Sequence, residues 1–236
     1  MLISIHIPKT GGETFKSLLK SRFGEHYGED YEGAITLATC PLRSSYWKCR
    51  FNLIHSFRTK NLPGGCLHGH FLGVKYRAYL RKAKFAAWFR NPVDRVVSHF
   101  EYWRRAEAME IEIWEKVRSG DISLEQFVEI PEFQNTQYYF VKGIGVDNLD
   151  FVGITERFDQ SLMLFDRILG FTADENERVV ERENFNPSRM TGAYTLKDEL
   201  RDKIEKLNCL DMEIYKQALD RHLDLCLRHG VDQDLT

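Results

Sequence analysis

The 236-residue chain has only five cysteines, Cys40, Cys49, Cys66, Cys209 and Cys226, and no C-x-x-C pair among them. An odd and scattered set excludes a disulfide framework and a ribbon-type zinc site, and it reads as reduced thiols. Prolines number just six. With no Pro/Gly-rich linker, repeat or low-complexity tract, residues 1–236 read as one domain. No apolar run approaches the roughly 18–20 residues that a membrane span needs. The apolar start, Met1 to Ile7, stops at Pro8-Lys9 with neither a basic leader nor a cleavage site, so it is not a signal peptide. A cytoplasmic location is the expectation. Neither sign of charge dominates, with 33 Lys+Arg against 35 Asp+Glu and a net charge of -2. That balance excludes a globally basic nucleic-acid binder while leaving room for a local basic cleft. The chain is instead 43% hydrophobic and 13% aromatic, enough for a sizeable core and too much for disorder.

Three short apolar runs read as buried strands, each leading to a helix. Leu2 to Ile7 runs into Gly11-Gly12, and Phe15, Leu18, Leu19 and Phe23 then recur at helical spacing. Lys84 to Phe89 runs into Arg90-Asn91-Pro92, with Pro92 suited to a first helical position and Val93, Val96, Val97, Phe100 and Trp103 forming a stripe. Phe151 to Ile154 precedes a helix carrying Leu162, Phe165 and Ile168. Capping-box spacings at Ser123-x-x-Gln126, Thr172-x-x-Glu175 and Thr195-x-x-Asp198 predict further helix starts, and the C-terminal third is predicted helical. Strands alternating with helices predict an α/β domain with a central, mainly parallel sheet flanked by helices. Ligands of such sheets bind at the carboxyl ends of the strands, where residues 8–14 and 90–92 both fall.

The loop Pro8-Lys9-Thr10-Gly11-Gly12-Glu13-Thr14 joins a strand to a helix N-terminus. Glycines let backbone N–H groups turn inward, the helix end carries partial positive charge, Lys9 adds a full charge, and Thr10 and Thr14 add hydroxyls. This is chemistry for a phosphate or sulfate group. A nucleoside-triphosphatase loop needs G-x-x-x-x-G-K-S/T, with lysine after the glycines and a metal-holding hydroxyl next to it. Here Lys9 precedes Gly11 and Gly12, which disfavours a kinase.

His6-Ile7-Pro8-Lys9-Thr10-Gly11-Gly12 resembles the 5′-phosphosulfate loop of sulfotransferases, in the carbohydrate 2-O/6-O branch. Independently, Phe89-Arg90-Asn91-Pro92-Val93-Asp94-Arg95-Val96-Val97-Ser98 is similar to the family's 3′-phosphate motif, an arginine at a strand end and a serine eight residues on. Phe151 to Phe158 and Asn184 to Arg189 resemble later family segments, which makes Ser188 and Arg189 candidates for the adenine and 3′-phosphate loop. Glu13 departs from the pattern, since relatives carry a small hydroxyl residue there. A carboxylate beside the phosphosulfate repels it unless the side chain points to solvent or to the acceptor.

The resemblance implies a P-loop-like three-layer fold and transfer of a sulfuryl group from 3′-phosphoadenosine 5′-phosphosulfate to an acceptor hydroxyl, on a carbohydrate or glycoconjugate. It implies Lys9 as stabiliser of the leaving group, with Lys9, Thr10, Gly11, Gly12, Glu13, Thr14, Arg90, Ser98, Ser188 and Arg189 as nucleotide contacts and no metal. Such a transfer needs in-line positioning, charge stabilisation and a general base. Cys66-Leu67-His68-Gly69-His70-Phe71 is the best source of that base, with His70 favoured, His68 as its partner and Glu13 as the alternative. Zinc on Cys66, His68 and His70 lacks a fourth ligand. His6, His55, His99 and His222 read as core histidines. Tyr102 to Arg105 and Phe133 to Tyr139, Asn135 and Gln137 among them, are candidates for acceptor recognition, although Trp103 lies on the core stripe. A nucleotide-binding kinase-like protein and a catalytically inactive nucleotide-binding relative of the same fold remain the alternatives.

Overall fold

The computed structural model describes residues 1–31, 64–77, 80–106, 112–171 and 194–232. The first strand, β1 (Leu2–Ile5), leads to α1 (Gly12–Phe23), and β2 (Tyr27–Glu29) follows. β3 (Cys66–Gly69) precedes the single turn α2 (Val74–Arg77). β4 (Lys84–Phe89) leads to α3 (Pro92–Arg105), then α4 (Glu112–Ser119), α5 (Leu124–Phe127) and α6 (Thr136–Val141). β5 (Phe151–Ile154) leads to α7 (Phe158–Leu169), and α8 (Asp198–Leu207) and α9 (Cys209–His229) close the chain.

The five strands form one sheet in the order β2-β3-β1-β4-β5, and every described pairing is parallel. A parallel sheet buried on both faces needs continuously apolar strands, and β1, with all of its residues buried, lies at the centre. Helices cover the faces, as the α/β reading requires. Phe15 of α1 packs edge-on to Phe165 of α7 at 4.9 Å and meets Trp88 at 5.3 Å and Phe151 at 6.0 Å. The stripe Val93, Val96, Val97, Phe100 and Trp103 is buried throughout. Trp103 stacks on Trp114 at 5.0 Å and so belongs to the core.

Several local expectations hold and others shift. Asn91 caps α3 by accepting from the Val93 and Asp94 N–H groups, with Pro92 in the first turn. The Ser123–Gln126 capping box is formed in full. β1 ends at Ile5 rather than Ile7. His6 still donates its N–H to Gly69 O at 2.8 Å, but Pro8 has no N–H to extend the ladder. Thr195 does not cap α8. That helix starts at Asp198 with Lys197 as its N-cap, because the Leu200 and Arg201 N–H groups bond Lys197 O and make it the first helical acceptor. Thr172-x-x-Glu175 lies outside the described residues. β2 and β3 have no counterpart among the predicted strands, β3 because only Cys66 and Leu67 of its four buried residues are apolar.

A buried ionic knot ties the helical layer together. Arg95, fully buried, has its Nε 3.7 Å from Asp211 Oδ2 of α9 and donates from Nη2 to Phe133 O at 3.0 Å. Asp211 accepts from the Gln137 and Tyr138 N–H groups and thereby caps α6. Asn135, in the left-handed region at φ 54°, accepts in turn from the Leu210 and Asp211 N–H groups. Among the described residues, no helix is long and apolar enough to cross a membrane. Cys66, Cys209 and Cys226 are free thiols, and burial pushes Cys66 up to about 12.

Candidate active site

The loops that follow β1, β3, β4 and β5 emerge together at the carboxyl edge of the sheet. In the first, Lys9 adopts φ 70° and Gly11 φ 91°, so the chain reverses within a few residues before α1 begins. The left-handed region costs glycine little but strains lysine, and such strain concentrates at functional sites. α1 opens on Gly12, Glu13 and Thr14, whose N–H groups precede the first helical hydrogen bond, Phe15 N to Gly11 O. Donors of this kind at a helix N-terminus suit an anion. Glu13 is exposed, which leaves its N–H at the helix end while its carboxylate meets solvent. Thr14 is buried. The Thr10 hydroxyl donates to Ile7 O at 2.9 Å, so its proton is spent on holding the turn.

Three contacts knit this loop to its neighbours. Arg90 donates from Nη1 to Lys9 O at 3.2 Å. Thr155, just after β5, places its hydroxyl 2.8 Å from Thr10 O and 3.0 Å from Phe89 O, joining the first loop to the end of β4. The Lys9 ammonium sits 3.8 Å from the centroid of the Tyr102 ring on α3. Burial, reinforced by Arg90 and Arg105 and opposed by Glu13, lowers the Lys9 pKa to about 8. Ser98 lies half-buried two turns into the helix that Arg90 precedes.

The histidines lie side by side because alternate residues of a strand share a face. Ser4 and His68 are register partners across β1 and β3, and the Ser4 hydroxyl lies 2.8 Å from His68 Nδ1. His6 stacks on His68 at 4.9 Å and meets His70 at 4.5 Å. Its Nδ1 lies 2.9 Å from the Tyr31 hydroxyl. His6 is therefore hydrogen-bonded, yet it is a wall of the site rather than distant core. Gly12 lies directly over its ring, where an added Cβ would stand 1.9 Å from Nε2. Burial holds all three rings neutral. It lowers His70 to about 4, helped by Lys16, lowers His68 to about 3, helped by His70 and Lys16, and takes His6 well below its ordinary value. His70 is the first residue beyond β3 and is half-buried, and its Nε2 has no hydrogen-bond partner among the described residues. His68 is sealed at 1% exposure.

The structure thus brings together Lys9, Thr10, Gly11, Gly12, Glu13 and Thr14 with Arg90, and sets His70 and His68 beside them through His6. Ser188 and Arg189 lie outside the described residues, as does His55. His222 is a satisfied core residue, 2.8 Å from Val152 O and 3.0 Å from Gln160 Oε1. Asn135 and Gln137 bond backbone within the fold rather than facing an acceptor. Tyr31 and Thr155 are additions that no spacing rule singles out, since their roles exist only once distant strands align. Among the described residues, no cluster of three or more His, Cys, Asp or Glu could hold a metal ion.

No family model matches the chain, and no curated protein matches it. Among solved structures it is similar to a sulfotransferase from Alicyclobacillus acidocaldarius, at 15% identity and a TM-score of 0.46, over 93% of this chain and 95% of that one.

Proposed function

We propose that this chain is a sulfotransferase that moves a sulfuryl group from 3′-phosphoadenosine 5′-phosphosulfate to an acceptor hydroxyl on a carbohydrate or glycoconjugate. The observation that carries the reading is the joining of two anion-binding loops at one sheet edge, with the Arg90 guanidinium bonded to Lys9 O. An NTPase-type lysine after the glycines is missing from that edge. The N–H groups of Gly12, Glu13 and Thr14 receive the 5′-phosphosulfate, with Thr10 and Gly11 shaping the turn. Arg90 and Ser98, with Ser188 and Arg189, receive the 3′-phosphate.

In the transfer, the acceptor oxygen bonds to sulfur as the bond from sulfur to the bridging phosphate oxygen breaks. His70 takes the hydroxyl proton at its neutral ring, and Lys9 stabilises the charge that gathers on the departing adenosine 3′,5′-bisphosphate. Burial, helped by Lys16, holds His70 neutral in the free protein, and an anionic cosubstrate beside Lys16 would offset the smaller, charge-based part of that lowering. His68, bonded to Ser4 and stacked on His6, braces the cluster.

Calorimetric titration with adenosine 3′,5′-bisphosphate and, separately, with magnesium-ATP tests the reading. Micromolar binding of the bisphosphate that is lost in Arg90→Ala is expected, together with near abolition of sulfuryl transfer in Lys9→Ala. Preference for magnesium-ATP, or undiminished turnover in Lys9→Ala, would refute it.

A further inference from the structure

Arg90 is the first residue beyond the β4 ladder, where strand pairing no longer holds its backbone. Gln137 of α6 supplies what the ladder does not. Its Oε1 accepts from the Arg90 N–H at 2.9 Å, and its Nε2 donates to Arg90 O at 2.9 Å. The primary amide therefore engages both backbone groups of Arg90, as a neighbouring strand would. Gln137 is fully buried at 0% exposure, a place where an uncharged polar side chain is costly unless every group is paired. Its own N–H is fixed on Asp211 Oδ2 at 3.2 Å, and Asp211 is anchored by Arg95 and Asn135. A rigid path of buried polar contacts thus runs from α9 through Gln137 to the residue whose guanidinium reaches Lys9 O.

We propose that Gln137 is a positioning residue that fixes the backbone of Arg90 and so sets the guanidinium for the anionic ligand; this rests on the sulfotransferase reading above. The amide demands both an acceptor and a donor on one planar group, which only Gln supplies at this reach. Gln137 touches no reacting atom in this scheme and acts through Arg90.

The test is a double-mutant cycle read by calorimetric affinity for adenosine 3′,5′-bisphosphate. Gln137→Met keeps the volume without the amide, and it should weaken binding by about tenfold or more, since small displacements of a positioning group are costly. In the Arg90→Ala background the same change should alter affinity by less than about twofold, because nothing is left to position. Gln160→Met removes another buried amide, bonded to His222 of α9 and to Asp232 O, without touching Arg90 or the Asp211 path. It should lower the melting temperature while leaving affinity within about twofold. Equal losses in both Arg90 backgrounds, an unchanged affinity in Gln137→Met, or a Gln160→Met loss matching that of Gln137→Met would overturn the positioning role and leave the sulfotransferase reading standing. Absence of bisphosphate binding in the wild type would overturn both. Gln137→Glu keeps the acceptor and loses the donor, and it serves if Gln137→Met does not fold. Hydrogen exchange on the wild type needs no variant: the Arg90 amide should be as protected as those of β4, and rapid exchange would overturn the proposal.

Discussion

Gly12→Ala is expected to destabilise this protein, although a glycine-to-alanine change at a helix start with ordinary φ stabilises by about 0.4–1 kcal/mol when there is room. The reversal comes from His6. An added Cβ would stand 1.9 Å from its Nε2 and 2.1 Å from its Cδ2, whereas unstrained contact needs about 3.5 Å. The ring must therefore retreat by roughly 1.5 Å. It has nowhere to go, being stacked on His68 at 4.9 Å, set against His70 at 4.5 Å and bonded through Nδ1 to Tyr31 at 2.9 Å. Overpacking of this kind costs about 1–3 kcal/mol. At about 2–4 °C per kcal/mol for a chain of this size, the melting temperature should fall by about 2–12 °C. The diagnostic is the sign in a His6→Ala background. With the ring gone, Gly12→Ala should become neutral or stabilising, giving a coupling of about 1 kcal/mol or more in thermal melts followed by circular dichroism or calorimetry. The same penalty in both backgrounds, or no penalty in the wild type, would refute the contact as the reason for glycine at this position.

Two further predictions concern protonation. Lys9 has a pKa lowered to about 8 in the free protein, so its charge is present below that pH and lost above it. kcat/KM should decline as pH rises through about 8. Arg105 is one cause of the lowering, so Arg105→Gln should move the decline to higher pH, and a profile flat to pH 10 would contradict the assignment. His70 and His68, held by burial at about 4 and about 3, lie below the roughly 6.5 of an unfolded histidine. The unfolded chain therefore binds more protons on acidification, so their contribution is complete above about pH 6.5 and drains away as pH falls towards 4. Melting temperature should drop between pH 7 and 4.5, and His70→Phe should flatten that drop; an unaltered slope in the variant would sink the argument.

The sequence by itself determined three of the five described strands, the helices that follow them and the residue types of the first loop. Apolar runs at Leu2, Lys84 and Phe151, each followed by helical periodicity, suffice for three parallel strands with helices after them, because period and length are local properties. Pro8, Lys9, Gly11 and Gly12 suggest an anion loop without any fold, since the residue types needed are neighbours in the chain. Only the tertiary structure decided what lies against that loop. β3 became a strand by pairing between β1 and β2, and its register with β1 put His68 on Ser4 and the His70 ring against His6. Tyr102, a candidate for acceptor recognition in the sequence, carries the Lys9 ammonium on its ring. Gln137 looked like an acceptor contact and proves to hold the Arg90 backbone. Arg95 and Asp211, far apart in the chain, are wholly buried against each other. Period and composition describe a residue's own segment, whereas burial, pKa and hydrogen-bond partner depend on which distant segment arrives beside it. In this chain the sheet order and register, set by packing of the whole core, decide that arrival.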